Sequence, residues 1–198
     1  MAARAYHHGD LRATLIALAG AHIAREGVDS LSVRALAKEA GVAHRSAYQH
    51  FPDKDGLIAA VFVEAYQRLD ARISDSGGAP EARLIQVARA LSGFAADEPK
   101  MFLAMTGPRV NQSGAHEALE AAIAKSWRHV AAPIGAGVDS GAFKARDKRA
   151  AAALFWGGLT GVLTQAALGR LKVKPAERAA FFDDVARRLI AGLKAPAS

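Results

Sequence analysis

Residues 41–51, GVAHRSAYQHF, bring His44, Arg45, Ser46, Tyr48, Gln49 and His50 within one short segment. Side chains of these types ligate metals, activate nucleophiles, or hydrogen-bond to the base edges and phosphates of nucleic acid. Spacing decides among them. His44 and His50 are six positions apart, so at about 100° per residue they diverge by about 120° around a helix, whereas two helical ligands of one metal stand at i and i+4. His7 and His8 are adjacent and diverge as well. The spacing therefore predicts no metal site, and nothing else in the chain calls for a cofactor. Ser46 and His50 do stand at i, i+4, the reach of a nucleophile and its base. No carboxylate in the segment orients that histidine and no oxyanion donor accompanies it, so the expectation is no catalytic residue and no enzyme. The stretches GGAP and GPRV lack the partners that make a glycine-rich loop a phosphate or dinucleotide cradle.

Nucleic-acid recognition suits these side chains better. The planar fork of Arg45 fits guanine O6 and N7, and the amide of Gln49 fits adenine N6 and N7. Tyr48, Ser46 and His50 are donors for phosphates, or touch a thymine methyl. Ala43 and His44 share the face on which Arg45, Tyr48 and Gln49 lie. Ser32 and Arg34, at the start of the preceding helix, are placed to hold the other side of the groove. Lys54 and the backbone N–H groups around it, opening the next helix, are expected at a phosphate.

The elements that must position this face are short helices. Leu11, Leu15, Leu18, Ala19, His22 and Ile23 recur at helical spacing, with Asp10 as N-cap and Gly27 as the stop. Ser32 precedes an eight-residue helix, VRALAKEA, whose Val33, Leu36, Ala37 and Ala40 form one stripe. Gly41 then supplies the positive φ of a tight turn. The segment HRSAYQHF follows, stopped by Pro52. Two short helices around a glycine-containing turn make a helix-turn-helix over about residues 32–51, the second helix entering the major groove. Ala47 and Phe51, four apart, are expected to hold that helix down. A further helix opens at Asp53 or Lys54, with Leu57, Ile58, Val61, Phe62, Ala65 and Leu69 inward. The small polar stretch SDSGGAP, 74–80, reads as a linker between units 1–73 and 80–198. Helices are expected at about 80–96, 99–107, 116–135, 146–170 and 175–194, with Pro80, Pro99 and Pro175 at their starts. No alternating β-branched run is long enough for a strand, so the fold class is all-α.

SVRALAKEAGVAHRSAYQHFPDKDGLIAAV resembles the DNA-binding region of the TetR/AcrR family of bacterial transcriptional regulators. Val33, Ala37, Ala40, Gly41, Val42, Tyr48, His50, Phe51, Lys54 and Leu57 carry the resemblance, which covers roughly residues 8–68. It implies a homodimer with a three-helix head and a larger ligand-binding body. By that resemblance Tyr48 and His50 contact phosphates and Lys54 anchors the DNA backbone. Two positions depart from the family pattern. Arg45 stands where relatives often carry a small residue, so it is expected to read a guanine that they ignore. Ala47 replaces a larger apolar residue, so a less well packed head is expected. FWGGLTG, residues 155–161, resembles the tryptophan–glycine ("WHG"-like) segment of one subgroup of family C-terminal domains.

The bulk of the chain agrees with a folded regulator. Of 198 residues 51% are hydrophobic and 23% charged, which argues against a disordered chain. Cysteine is absent, removing thiolate ligands and disulfides, and no secretion signal is recognisable at the N-terminus, so a cytoplasmic protein is expected. Net charge is +7, yet residues 1–73 contribute only +1 of it and 74–198 contribute +6. Charge alone therefore does not locate a DNA surface. The most apolar stretch, 150–168, is cut by three glycines and flanked by charges, and is expected as a buried helix, with no membrane partner.

In the C-terminal part Phe62, Phe102, Met105, Arg109, Trp127, Phe155 and Trp156 are the candidates to line an effector cavity between helices. Arg89, Arg109 and Arg128 would favour an anionic or amphipathic effector, fatty-acyl or aromatic. Leu159, Leu163, Ala167, Val185 and Leu189 are the candidates for a two-fold interface, Gly157, Gly158 and Gly161 letting helices approach closely. The expected function is a repressor that binds a palindromic operator in double-stranded DNA as a homodimer and is released by a small-molecule effector. The alternatives are a regulator of the same fold without an effector, or an activator.

Overall fold

A computed structural model describes residues 11–73, 77–108 and 115–194, and all regular structure in these residues is helical. The expected N-cap Asp10, His7, His8 and Arg109 lie outside the described residues. The head begins with α1 (Leu11–Glu26), α2 (Val33–Glu39) and α3 (His44–His50). Gly27 at φ 91° ends α1, and Gly41 at φ 71° makes the α2–α3 turn, a conformation that L side chains adopt only with strain. α4 (Lys54–Arg72) leaves the head and packs along α7 (Glu117–Asp139). Its predicted inward residues Leu57, Ile58, Val61, Phe62, Ala65 and Leu69 are all buried.

α5 (Pro80–Asp97) and α6 (Pro99–Thr106) each open on the proline that the sequence marks. The third marked proline, Pro175, starts a single 3-10 turn that feeds α9 (Arg178–Lys194). α5 lies at the centre of the body, in contact with α4, α6, α7, α8 (Lys148–Ala167) and α9. The core runs without a break from α1 to α9.

Two differences from the sequence reading have clear causes. α7 continues past the expected end near 135 and through Pro133 to Asp139. Pro133 is itself buried, and burial offsets the hydrogen bond its missing N–H forfeits. Beyond it the chain folds back so that Phe143 lies on Gly137, where a Cβ would come within 2.2 Å of the ring. The second difference is α8, which is half-buried rather than buried. Ala151, Ala152, Phe155, Leu159 and Leu163 face the core, while Leu154 is 64% exposed and Gly157, Gly161 and Leu168 share its outer side. By length and composition α8 is apolar enough to cross a membrane, but it packs against α5, α6, α7 and α9 as part of the body. Its capping residue, Asp147, accepts from the backbone N–H groups of Arg149 and Ala150 at 2.8 and 3.2 Å. Those bonds hold the Asp147 carboxyl below its usual range.

Candidate nucleic-acid interface and the body behind it

α3 buries one residue of its own, Ala47, which is 0% exposed. Phe51, at its C-cap, is buried beside it, and Val42 packs against the same core. The Ala47 methyl is completely enclosed within the head. Arg12 of α1 adds a lid, its guanidinium carbon 5.3 Å from the centre of the Phe51 ring. Sequence reasoning overlooked that contact, since nothing local to residue 12 signals it.

With Ala47 fixed inward, helical geometry turns the rest of α3 out. Ala43, His44, Arg45, Tyr48, Gln49 and His50 are exposed and Ser46 is half-buried. Arg45 and Gln49, one turn apart, share a face. The rings of His44 and Tyr48 meet edge to face with centroids 4.7 Å apart, which braces the phenol against the helix. The two histidines do not converge, and among the described residues no group of three His, Cys, Asp or Glu is arranged to hold a metal.

The flanking candidates are partly engaged inside the protein. Ser32 caps α2, its hydroxyl oxygen accepting from Ala35 N at 3.4 Å. Arg34 is exposed. Lys54 Nζ donates to the carbonyl of Asp29 at 3.1 Å, tying the start of α4 to the α1–α2 turn. The N-terminus of α4 is not an open phosphate site: Asp53 occupies it, accepting from Gly56 N at 2.7 Å. A phosphate placed there meets a carboxylate already on the helix dipole. Lys54 itself is tied into the head by its bond to the Asp29 carbonyl.

In the body, most of the candidate effector residues are internal. Phe62, Phe102, Met105 and Phe155 are buried in the continuous core. Trp127 and Trp156 are partly buried and meet edge to face at 6.2 Å. Among the cavities of the described residues are one of about 180 Å³ where the ends of α5 and α8 meet the starts of α6 and α9, and one of about 360 Å³ between α1, α4 and the start of α7. Arg89 is bound to Asp183, its Nε donating to Oδ1 at 2.9 Å.

The interface candidates divide in the same way. Leu159 and Leu163 are 0% and 1% exposed within a single chain, so they belong to its core and are withdrawn as interface residues. Ala167, Val185 and Leu189 are half-buried. Of the three glycines expected to permit close approach, Gly158 does so inside the chain, where a Cβ would stand 2.7 Å from Leu189 Cδ2; Gly157 and Gly161 open to empty space.

A three-helix head that exposes a row of donors on its third helix, carried on a helical body, defines a helix-turn-helix transcriptional regulator. The chain belongs to the TetR family: residues 15–61 match the model described as "Bacterial regulatory proteins, tetR family", and residues 84–189 match "Tetracyclin repressor-like, C-terminal domain". Its role is regulatory rather than enzymatic. An uncharacterised HTH-type transcriptional regulator of Mycobacterium tuberculosis is 30% identical over 131 residues, 64% of this chain. The chain spans only 61% of the length of that curated relative. A protein of unknown function from Rhodococcus sp. RHA1 superposes with a TM-score of 0.79 at 27% identity, over 98% of this chain and 100% of that one. The fatty acid degradation regulator FadR from Bacillus halodurans shares the fold, with a TM-score of 0.74 at 21% identity over 96% and 99% of the two chains. So does FadR from Bacillus subtilis, solved in complex with stearoyl-CoA, with a TM-score of 0.72 at 21% identity over 91% and 98%.

Proposed function

We propose that this chain is a cytoplasmic repressor that binds a palindromic operator as a homodimer and is released by a small apolar or amphipathic effector. The observation that carries the reading is α3 itself. Only Ala47 of its seven residues and their flanking turn faces fully inward with Phe51, so Arg45, Tyr48, Gln49 and His50 are left for the groove. Arg45 and Gln49 read bases, while Tyr48, His50 and Arg34 hold phosphates. Residues 1–73 form the DNA-binding unit and 80–198 the effector and dimerisation unit.

The dimer forms through the outer side of α8 with the adjoining flank of α9. Leu154, Gly157, Gly161 and Leu168 present an apolar, close-approachable stripe that nothing else in the described chain covers, and Val185 and Leu189 border it. A two-fold there sets two α3 helices one turn of DNA apart, ~34 Å. An effector bound in the body then shifts the equilibrium between head spacings by its differential affinity for them. The neighbour solved with stearoyl-CoA supports an amphipathic anion as the effector class. Selection of bound sequences from a random DNA pool, followed by a reporter carrying the selected site, tests the reading. Enrichment of a palindrome and repression of the reporter are expected; no enriched palindrome, or activation, overturns it.

A further inference from the structure

We infer that the cleft between the C-terminal half of α5, the end of α8 and the start of α9 binds a small monoanionic amphiphile, an aryl or short-alkyl carboxylate, with Arg178 as its counter-ion. The inference rests on the effector-responsive reading above and gives it a site and a ligand class.

The cleft has two connected parts. The inner cavity, about 180 Å³, has an apolar floor of Ala95, Leu163, Ala166, Ala167 and Phe182. An outer groove of about 610 Å³ runs along α5 and α9, and the two share Ser92, Ala96, Arg178 and Phe182 in their walls. An apolar cavity of roughly 150 Å³ is enough to take up benzene. The inner part therefore suits a ring or a short alkyl group, and the outer part admits a polar head.

Charge fixes the head group. The ionisable residues lining the cleft are Arg89, Arg178 and Asp183. Arg89 and Asp183 neutralise each other through a bidentate pair, Nε to Oδ1 at 2.9 Å and Nη2 to Oδ2. The Arg89 hydrogen bonds hold the Asp183 carboxyl below its usual range, so that pair stays ionised and closed. Arg178 makes no hydrogen bond or ion pair among the described residues, though it borders both parts of the cleft. One uncompensated guanidinium beside an apolar cavity selects one negative charge on an apolar body, because a neutral ligand leaves the cation unpaired and a dianion is only half matched. Ser92 donates its hydroxyl to the Arg89 carbonyl at 3.1 Å, which leaves its oxygen as an acceptor at the junction of the two parts.

Calorimetric titration of the full chain in the absence of DNA tests the site. Phenylacetate is the probe and 2-phenylethanol its neutral counterpart, compared in the native chain and in Arg178→Gln and Ala96→Leu. Both residues are exposed, so neither change disturbs the core. Saturable binding of phenylacetate is expected, weakened by about tenfold or more in Arg178→Gln. The weaker binding of phenylethanol is unchanged in that variant, and Ala96→Leu, which fills the junction, loses both. No saturable binding of phenylacetate to the native chain, or equal binding in Arg178→Gln, overturns the inference. Because no DNA is present, failure to select an operator would sink the repressor reading while leaving this result standing, and the reverse holds equally.

Discussion

Arg68 Nη2 of α4 donates to Glu98 Oε2, the residue between α5 and α6, at 2.8 Å. One turn further along α4, Arg72 Nη1 donates to Asp97 Oδ2, also at 2.8 Å. On the other side of the same corner, Lys100 Nζ donates to the carbonyl of Arg25 in the last turn of α1. Residues 97–100 thus hold both helices that carry α3. Pro99, at this corner, also lines the inner cavity, which places that cavity beside the junction.

Because these pairs are partly exposed, each is worth only ~0.5 kcal/mol to folding. The double variant Arg68→Ala, Arg72→Ala is expected to unfold about 1 kcal/mol more easily, a shift of a few degrees in the thermal midpoint for a chain of this size. Arg72 also lies over the Phe94 ring at 5.3 Å, so its share is the larger. The larger effect is expected on coupling: the effector should release the variant from DNA less completely at saturation. A thermal scan paired with an effector titration of the DNA complex separates the two, and unchanged release would deny the corner any part in transmission.

Arg45 is exposed on α3 and lies one turn from Gln49, on the face opposite Ala47. Replacing it with alanine should flatten the base preference at one position of each half-site, costing about 1–3 kcal/mol against guanine there. Tyr48→Phe should instead weaken all sequences alike, since a phosphate contact carries no base information. Sequencing the pools that each variant selects distinguishes the two, and an unaltered profile for Arg45→Ala would remove its role in base reading.

The head could be read from sequence because its constraints are local. Gly41 must turn, Ala47 must face the core, and Pro52 must stop the helix, so periodicity and residue type agree at each step. The same holds for the starts of α5 and α6, which proline announces. α8 resisted such reading for a physical reason. It is apolar nearly all round, so no amphipathic stripe says which side faces inward; Leu159 and Leu163 look no different in sequence from Leu154 and Leu168. The proposed effector site was hidden in a similar way. Aromatic residues such as Phe102 and Phe155 mark where apolar volume is needed, but a cavity is the place where side chains fall short. The cleft at Arg178 is walled by alanines and helix ends that no motif distinguishes. The pairing of Arg89 with Asp183, 94 positions later, is equally invisible before folding.

Gly157 and Gly161 stand one turn apart on the outer side of α8 with open space where a Cβ would be. Alanine at either position should leave the isolated chain as stable as before or up to ~1 kcal/mol more stable, since glycine is a poor helix former. Leucine at both should keep a second α8 from approaching and convert the dimer to a monomer. Sedimentation of the native chain and the double leucine variant, with circular dichroism to confirm folding, reads this out. A native chain that is monomeric at micromolar concentration, or a leucine variant that remains dimeric, would remove this face as the interface.

Tyr66, on α4, is 7% exposed, and burial raises its phenol from 10.0 to about 12. The sign of the consequence follows from proton counting. Between those values the unfolded chain has lost the phenolic proton while the folded chain retains it, so unfolding is favoured as pH rises. The contribution is complete below pH 10 and is lost on the way through 12. Two pH units correspond to roughly 3 kcal/mol. Tyr66→Phe keeps the ring and removes the proton, so its stability relative to the native chain should rise across that window and be level below it. Urea unfolding of both proteins at a series of alkaline pH values measures the difference directly, with lysine titration common to the two. If the two stability curves run parallel through the window, the Tyr66 phenol ionises as readily in the folded chain as in the unfolded one, and the core around α4 admits more water than its packing indicates.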